Sequence, residues 1–133
     1  MTTAGLSHIN FRADRPLLDA LKDFYCSAVG LQVGERPPFP FFGYWLYAGD
    51  IPIVHLSVAA PGEERRTDVS TSFDHIAFNC VSRAEVEARL QSLAVPFRTA
   101  IVPMRRQAQL FLQDPAGNNV ELNFAEPDAS DGG

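Results

Sequence analysis

Apolar and polar positions alternate over short stretches of this chain, and twice the period lengthens to that of a helix. From Leu6 to Arg12 the side chains of His8, Asn10 and Arg12 fall on one face and Ile9 and Phe11 on the other, which predicts a strand. Asp14 then reads as an N-cap and Pro16 suits a first turn. Leu18, Leu21, Tyr25 and Ala28 recur at helical spacing up to Gly30. "LQVGER" predicts a second strand, "PPFPFFG" a stiff aromatic loop, and "YWLYA", "GDIP" and "IVHLSVA" a hairpin. After the polar stretch "PGEERRTDVSTS" the order returns. "FDHIAFNC" predicts a strand, and "SRAEVEARLQSLAV" a helix with Ser82 and Glu85 as a capping box and Val86, Leu90 and Leu93 turned inward. "PFRTAIV", "AQLFLQ" and "VELNF" predict three more strands, the last two joined by the turn "DPAGNN".

Each half therefore reads β-α-β-β-β, and the halves superpose as sequences. A shift of 67 residues lays His8 on His75, Ile9 on Ile76 and Phe11 on Phe78. A shift of 66 lays "WLYAGDIPIVHL" on "FLQDPAGNNVEL", so that Trp45 meets Phe111 and His55 meets Glu121. One α+β domain over residues 1–133 is expected, with modules at about 5–60 and 72–126, a linker at 61–71 and a disordered tail at 127–133.

Composition changes this picture only by exclusion. The net charge is -5 and the basic residues are scattered, which argues against a nucleic-acid surface or a polybasic membrane patch. The opening "MTTAGLSHIN" lacks the basic and apolar regions of a secretion signal, and no apolar run reaches membrane-spanning length, so a cytoplasmic protein is expected. Cys26 and Cys80 are expected to be free.

The chemistry lies in the repeat. Each module offers one side chain from its first strand and one from its last: His8 and His55, then His75 and Glu121. Those three histidines are all that the chain has. Imidazoles with a carboxylate suit a divalent metal, Fe2+, Zn2+, Ni2+ or Mn2+. Trp45 and the rings of the Pro-rich loop are candidates to wall a pocket for a small, apolar or aromatic substrate, and Arg105 and Arg12 to clamp a carboxylate in it. Asp114 and Gly117 read as turn chemistry, with a positive φ at Gly117, and are left out of the site.

"LSHINF", "FYCSAVGLQV", "FDHIAF" and "FLQDPAGNNVEL" together resemble the vicinal oxygen chelate superfamily over Leu6 to Phe124. That superfamily includes glyoxalase I, fosfomycin-resistance enzymes, epimerases, extradiol dioxygenases and bleomycin-binding proteins. The resemblance implies paired βαβββ modules forming a cupped mixed sheet around a metal, a small-molecule substrate, and a homodimer. It implies His8, His75 and Glu121 as metal ligands, and it brings in Phe111, the repeat equivalent of Trp45, as a substrate wall. His55 departs from the glutamate of glyoxalase I, and three readings stay open: a fourth ligand, an acid/base beside the metal as in extradiol dioxygenases, or a structural residue. The expected function is a metal-dependent enzyme acting on a small oxygen-rich substrate, first by dioxygenase-like chemistry. The alternatives are a glyoxalase-type lyase or isomerase, or a non-catalytic drug- or metabolite-binding resistance protein.

Overall fold

The computed structural model describes residues 1–125; the expected tail lies outside them. The chain divides into two compact units, at 1–66 and 67–133. The fold class is α+β, with one βαβββ module in each unit.

In the first unit β1 (Ile9–Ala13) lies parallel to β4 (Ile51–Val58). β3 (Gly43–Ala48) and β2 (Gln32–Gly34) continue the sheet antiparallel, giving the order β1-β4-β3-β2. Helix α1 (Arg15–Phe24) connects β1 to β2. Asp14, extended at ψ 166°, caps it by accepting the Leu17 N–H at 3.0 Å. Leu18, Leu21 and Tyr25 are fully buried with Leu46, Val54 and Leu56 from the sheet. Each such side chain contributes about 1.5–3 kcal/mol of hydrophobic stabilisation.

Four local expectations need correction. β1 begins at Ile9 rather than Leu6, which is exposed. In the parallel register Ile9 pairs with Val54, so an extension would reach Pro52, which has no N–H to offer the ladder. The helix does not run on as α-helix to Ala28: Tyr25–Val29 form a π-helical turn, closed by Gly30 at φ 100°. Ser82 is no side-chain cap. It sits left-handed at φ 63°, ψ 61°, whereas a capping hydroxyl needs the extended backbone seen at Asp14, so the capping box with Glu85 does not form. Leu93, just after the second helix, α2 (Arg83–Ser92), is exposed instead of facing inward.

The second unit repeats the plan. β5 (His75–Cys80) is parallel to β8 (Asn119–Ala125), with β7 (Gln107–Gln113) and β6 (Arg98–Val102) beyond, in the order β5-β8-β7-β6. Helix α2 (Arg83–Ser92) buries Val86 and Leu90. Val120, Leu122 and Phe124 alternate with Glu121 and Asn123 along β8, so one face of the sheet is apolar core and the other carries polar side chains.

The β7–β8 turn depends on Asp114, which is buried. Its Oδ1 accepts the N–H groups of Ala116 and Asn118, both at 2.9 Å, and its Oδ2 accepts the Asn118 side-chain amide at 3.0 Å. Gly117 takes φ 84°, the positive value expected, and a side chain there would run into Asp68.

Candidate metal and substrate site

The internal repeat survives in three dimensions at the level of register. His55 pairs with Asn10 of β1 and with Trp45 of β3. Glu121 pairs with Ala77 of β5 and with Phe111 of β7. The two positions are therefore equivalent, and in each unit a histidine at or just before the first strand meets the last-strand residue.

In the second unit His75 Nε2 stands 3.5 Å from Glu121 Oε1. The other ring nitrogen, Nδ1, donates to Asp74 Oδ2 at 2.7 Å. That bond holds the His75 pKa above its ordinary value against the lowering effect of burial, with the carboxylate of Glu121 adding to the rise. Glu121 is a buried carboxylate, with its side chain 9% exposed, and its polar contact among the described residues is His75. A carboxylate fixing Nδ1 while Nε2 turns toward a second carboxylate is the arrangement that orients a metal-binding histidine. This donor pair fits a divalent cation.

In the first unit the rings of His8 and His55 stack, with centroids 3.8 Å apart and planes at 12°. Trp45 covers the other side of His55 at 4.2 Å and 13°. Ser7 Oγ lies 3.0 Å from His8 Nδ1, which leaves Nε2 of that ring uncommitted. His55 Nε2 lies 3.1 Å from the Pro52 carbonyl, so this nitrogen carries the proton and Nδ1 keeps its lone pair. Burial first, then the His8 ring and the Arg36 charge, depress the His55 pKa, with the Pro52 carbonyl opposing them. Neither unit by itself gathers three or more His, Cys, Asp or Glu side chains about one point among the described residues.

A cleft of about 220 Å³ opens on this face of the first unit, lined by His8, His55, Trp45, Phe39, Phe41 and Arg36. Asn10 and Ser57 form its polar floor, where Ser57 Oγ donates to Asn10 Oδ1 at 3.0 Å. Phe39 and Phe41 stack at 5.4 Å, and Phe39 meets Trp45 at 6.3 Å. Of the rings that the sequence offered as a pocket wall, Phe39, Phe41 and Trp45 line this cleft beside the two imidazoles, and Phe111 does not.

The remaining sequence candidates are spread out. Arg12 donates from Nε and Nη2 to Glu63, each at 2.7 Å, and thereby straps the connecting segment to β1. Phe111, opposite Glu121, lies under the guanidinium of Arg98 at 4.5 Å. Arg105 is exposed at the β6–β7 turn, in a shallow cavity shared with Asn79, Gln107 and Asn123. Sequence reasoning passed over Arg36 and Asp74. Arg36 directly precedes the aromatic loop and Asp74 directly precedes His75, and adjacency to those motifs was the available signal.

A sheet of order 1-4-3-2 repeated in tandem, with its histidines and one carboxylate at matched register places, defines the class. Residues 5–122 match the Glyoxalase/Bleomycin resistance protein/Dioxygenase superfamily, and the chain belongs to it. It is 31% identical over 110 residues to "Glyoxylase I 4" of Arabidopsis thaliana, covering 79% of this chain and 63% of that protein; it thus spans less than two thirds of that relative's length. Two solved structures share the fold. A glyoxalase family protein from Bacillus anthracis superposes with a TM-score of 0.69 at 16% identity, covering 93% of this chain and 97% of the other. A lactoylglutathione lyase from Agrobacterium tumefaciens gives 0.62 at 23%, covering 93% and 96%. Among the described residues no helix is long and apolar enough to cross a membrane.

Proposed function

We propose that this protein is a metal-dependent enzyme acting on a small, oxygen-rich substrate, with His75, Glu121 and His8 as metal ligands. The observation that carries the reading is His75 Nε2 presented to the buried Glu121 at 3.5 Å with Asp74 behind it. A bound divalent cation would act there as a Lewis acid toward substrate oxygens. Glu121 supplies the negative charge that such a cation needs, and Asp74 fixes which nitrogen of His75 is offered.

His55 is assigned the acid/base role. Its proton is held at Nε2 by the Pro52 carbonyl, and its depressed pKa keeps Nδ1 ready to take a proton near neutral pH. Trp45 and Phe111, each opposite one of these last-strand residues, are the substrate walls. Arg105 serves an outlying acidic group, whereas Arg12, engaged by Glu63, is a weaker choice for that role. An acid/base histidine at this place favours dioxygenase-like chemistry. The second reading, a glyoxalase-type lyase or isomerase, is favoured by the Arabidopsis relative. The active form is a homodimer, checked by sedimentation.

Elemental analysis of protein purified without added metal tests the proposal. About one cation per chain is expected, lost in both His75→Ala and Glu121→Gln. Iron with oxygen uptake on catechols supports the dioxygenase, and nickel or zinc with turnover of hemithioacetals supports the lyase. No stoichiometric metal, with the His8→Ala variant behaving as the parent, points to a metal-free binding protein and sinks the enzyme reading.

A further inference from the structure

Arg36 is the one formal charge in the wall of the first unit's cleft, apart from the two histidines, and no carboxylate lines that cleft. Among the described residues Arg36 forms no ion pair with an acidic side chain, and its Nε is buried without a hydrogen-bond acceptor. The guanidinium is nevertheless held in place. Its carbon lies 4.9 Å from the centre of the Phe39 ring and 5.1 Å from that of Phe41. Its Nη2 fills the space beside Gly43, where an added Cβ would stand 2.8 Å away. An arginine in the wall of a cleft, without a counter-charge, is a cation awaiting an anion.

The surroundings restrict what that anion is attached to. The rings of Phe39, Phe41 and Trp45 present flat faces, and stacking is the contact that flat faces reward. About 220 Å³ is below the roughly 300 Å³ at which pockets for drug-sized ligands begin, so the occupant is one ring or an equally small conjugated system. Asn10, whose Oδ1 is taken by Ser57, keeps its amide hydrogens for a ligand oxygen.

We propose that the substrate is a planar carboxylate, an aromatic or conjugated acid stacked on Trp45 and Phe39 with its carboxylate on Arg36. This deepens the function proposed above by naming the substrate class, and moves the clamp from Arg105 and Arg12 to Arg36. The orientation that follows is specific. The acid group is held at the aromatic loop, and the remainder of the ring lies along the His55 side of the cleft.

Trp45 is the sole tryptophan of the chain, so its fluorescence reports on this cleft alone. The test titrates chelator-treated protein with benzoate and with its uncharged counterpart benzamide, so that neither a metal nor turnover contributes. Saturable quenching by benzoate at concentrations at least about 10-fold lower than by benzamide is expected. Arg36→Gln should remove this preference and leave benzamide unchanged. Arg36→Lys, which keeps the charge and guards against a folding defect, should keep the preference in weakened form. Equal binding of the two probes, no saturable quenching by benzoate, or a preference that persists in Arg36→Gln would overturn the proposal. Because the metal is stripped beforehand, such a failure leaves the elemental analysis of the parent protein untouched, and the two readings stand or fall separately.

Discussion

Replacing Asp114 by alanine tests whether the β7–β8 turn, which sets the register of Phe111 against Glu121, is held by one side chain. The substitution removes the acceptor of three hydrogen bonds, two of them to backbone N–H groups. Bonds to a charged group contribute about 1.5–3 kcal/mol each, but these share one carboxylate and do not add in full. The backbone bonds Asp114 N–H to Asn118 O at 3.0 Å and Gly117 N–H to Asp114 O at 2.9 Å survive, so the turn loosens without dissolving. The buried Ala116 N–H is left without its partner. A loss of about 3 kcal/mol follows, a large share of the ~5–15 kcal/mol available to a domain of this size. With a urea slope of about 2 kcal/mol/M the unfolding midpoint should fall by about 1.5 M. Asp114→Asn keeps an acceptor for the backbone donors and faces the Asn118 amide with a second amide, so it should lose about half as much. The assay is urea unfolding followed by far-UV circular dichroism with the slope fitted independently. An alanine variant within about 0.5 kcal/mol of the parent, or an asparagine variant as unstable as alanine, would refute the reasoning.

Two further outcomes follow from the titrating groups. Folding holds the His55 pKa below its ordinary 6.5, so this residue's contribution to stability is present above that value and is lost as pH falls through the depressed folded one. In metal-stripped protein His55→Gln should therefore flatten the fall of the urea midpoint below about pH 6.5, whereas His75, whose pKa is raised, contributes below that value and loses its share as pH rises. A parent and His55→Gln pair with parallel midpoint profiles would contradict this. Asp74→Asn removes the largest cause of the His75 elevation; it should lower the His75 pKa read by NMR titration and weaken metal retention against a chelator by about 10-fold or more.

The repeat was legible because two offsets superposed like residues, His8 on His75, Ile9 on Ile76 and Phe11 on Phe78, and the register matches: Asn10 with His55 and Ala77 with Glu121. Strand alternation likewise separated the polar face of β8 from its core face. Local backbone states were not legible. A serine followed three residues later by glutamate is a sound capping signature, yet Ser82 is left-handed where the chain turns from β5 into α2 through only two residues, Val81 and Ser82. The π-helical turn at Tyr25 leaves the apolar pattern intact, so periodicity gives no sign of it. Within the candidate site, sequence named His8, His55, His75 and Glu121 but not the residues that sit against them. Asp74 and Arg36 act through contacts of 2.7 Å and about 5 Å that only the fold defines.

The division of each sheet into one packed face and one chemical face bears on how this scaffold changes over time. Val54, Leu56, Val120 and Leu122 pack the core face, while His55 and Glu121, interleaved with them on the same strands, lie on the opposite face. A substitution at either of the latter therefore changes the polar face and leaves the apolar core face in place. The duplicated sheet lets one copy vary at that place while the other keeps its residue. A chain built in this way can explore new reactions one position at a time without first becoming more stable.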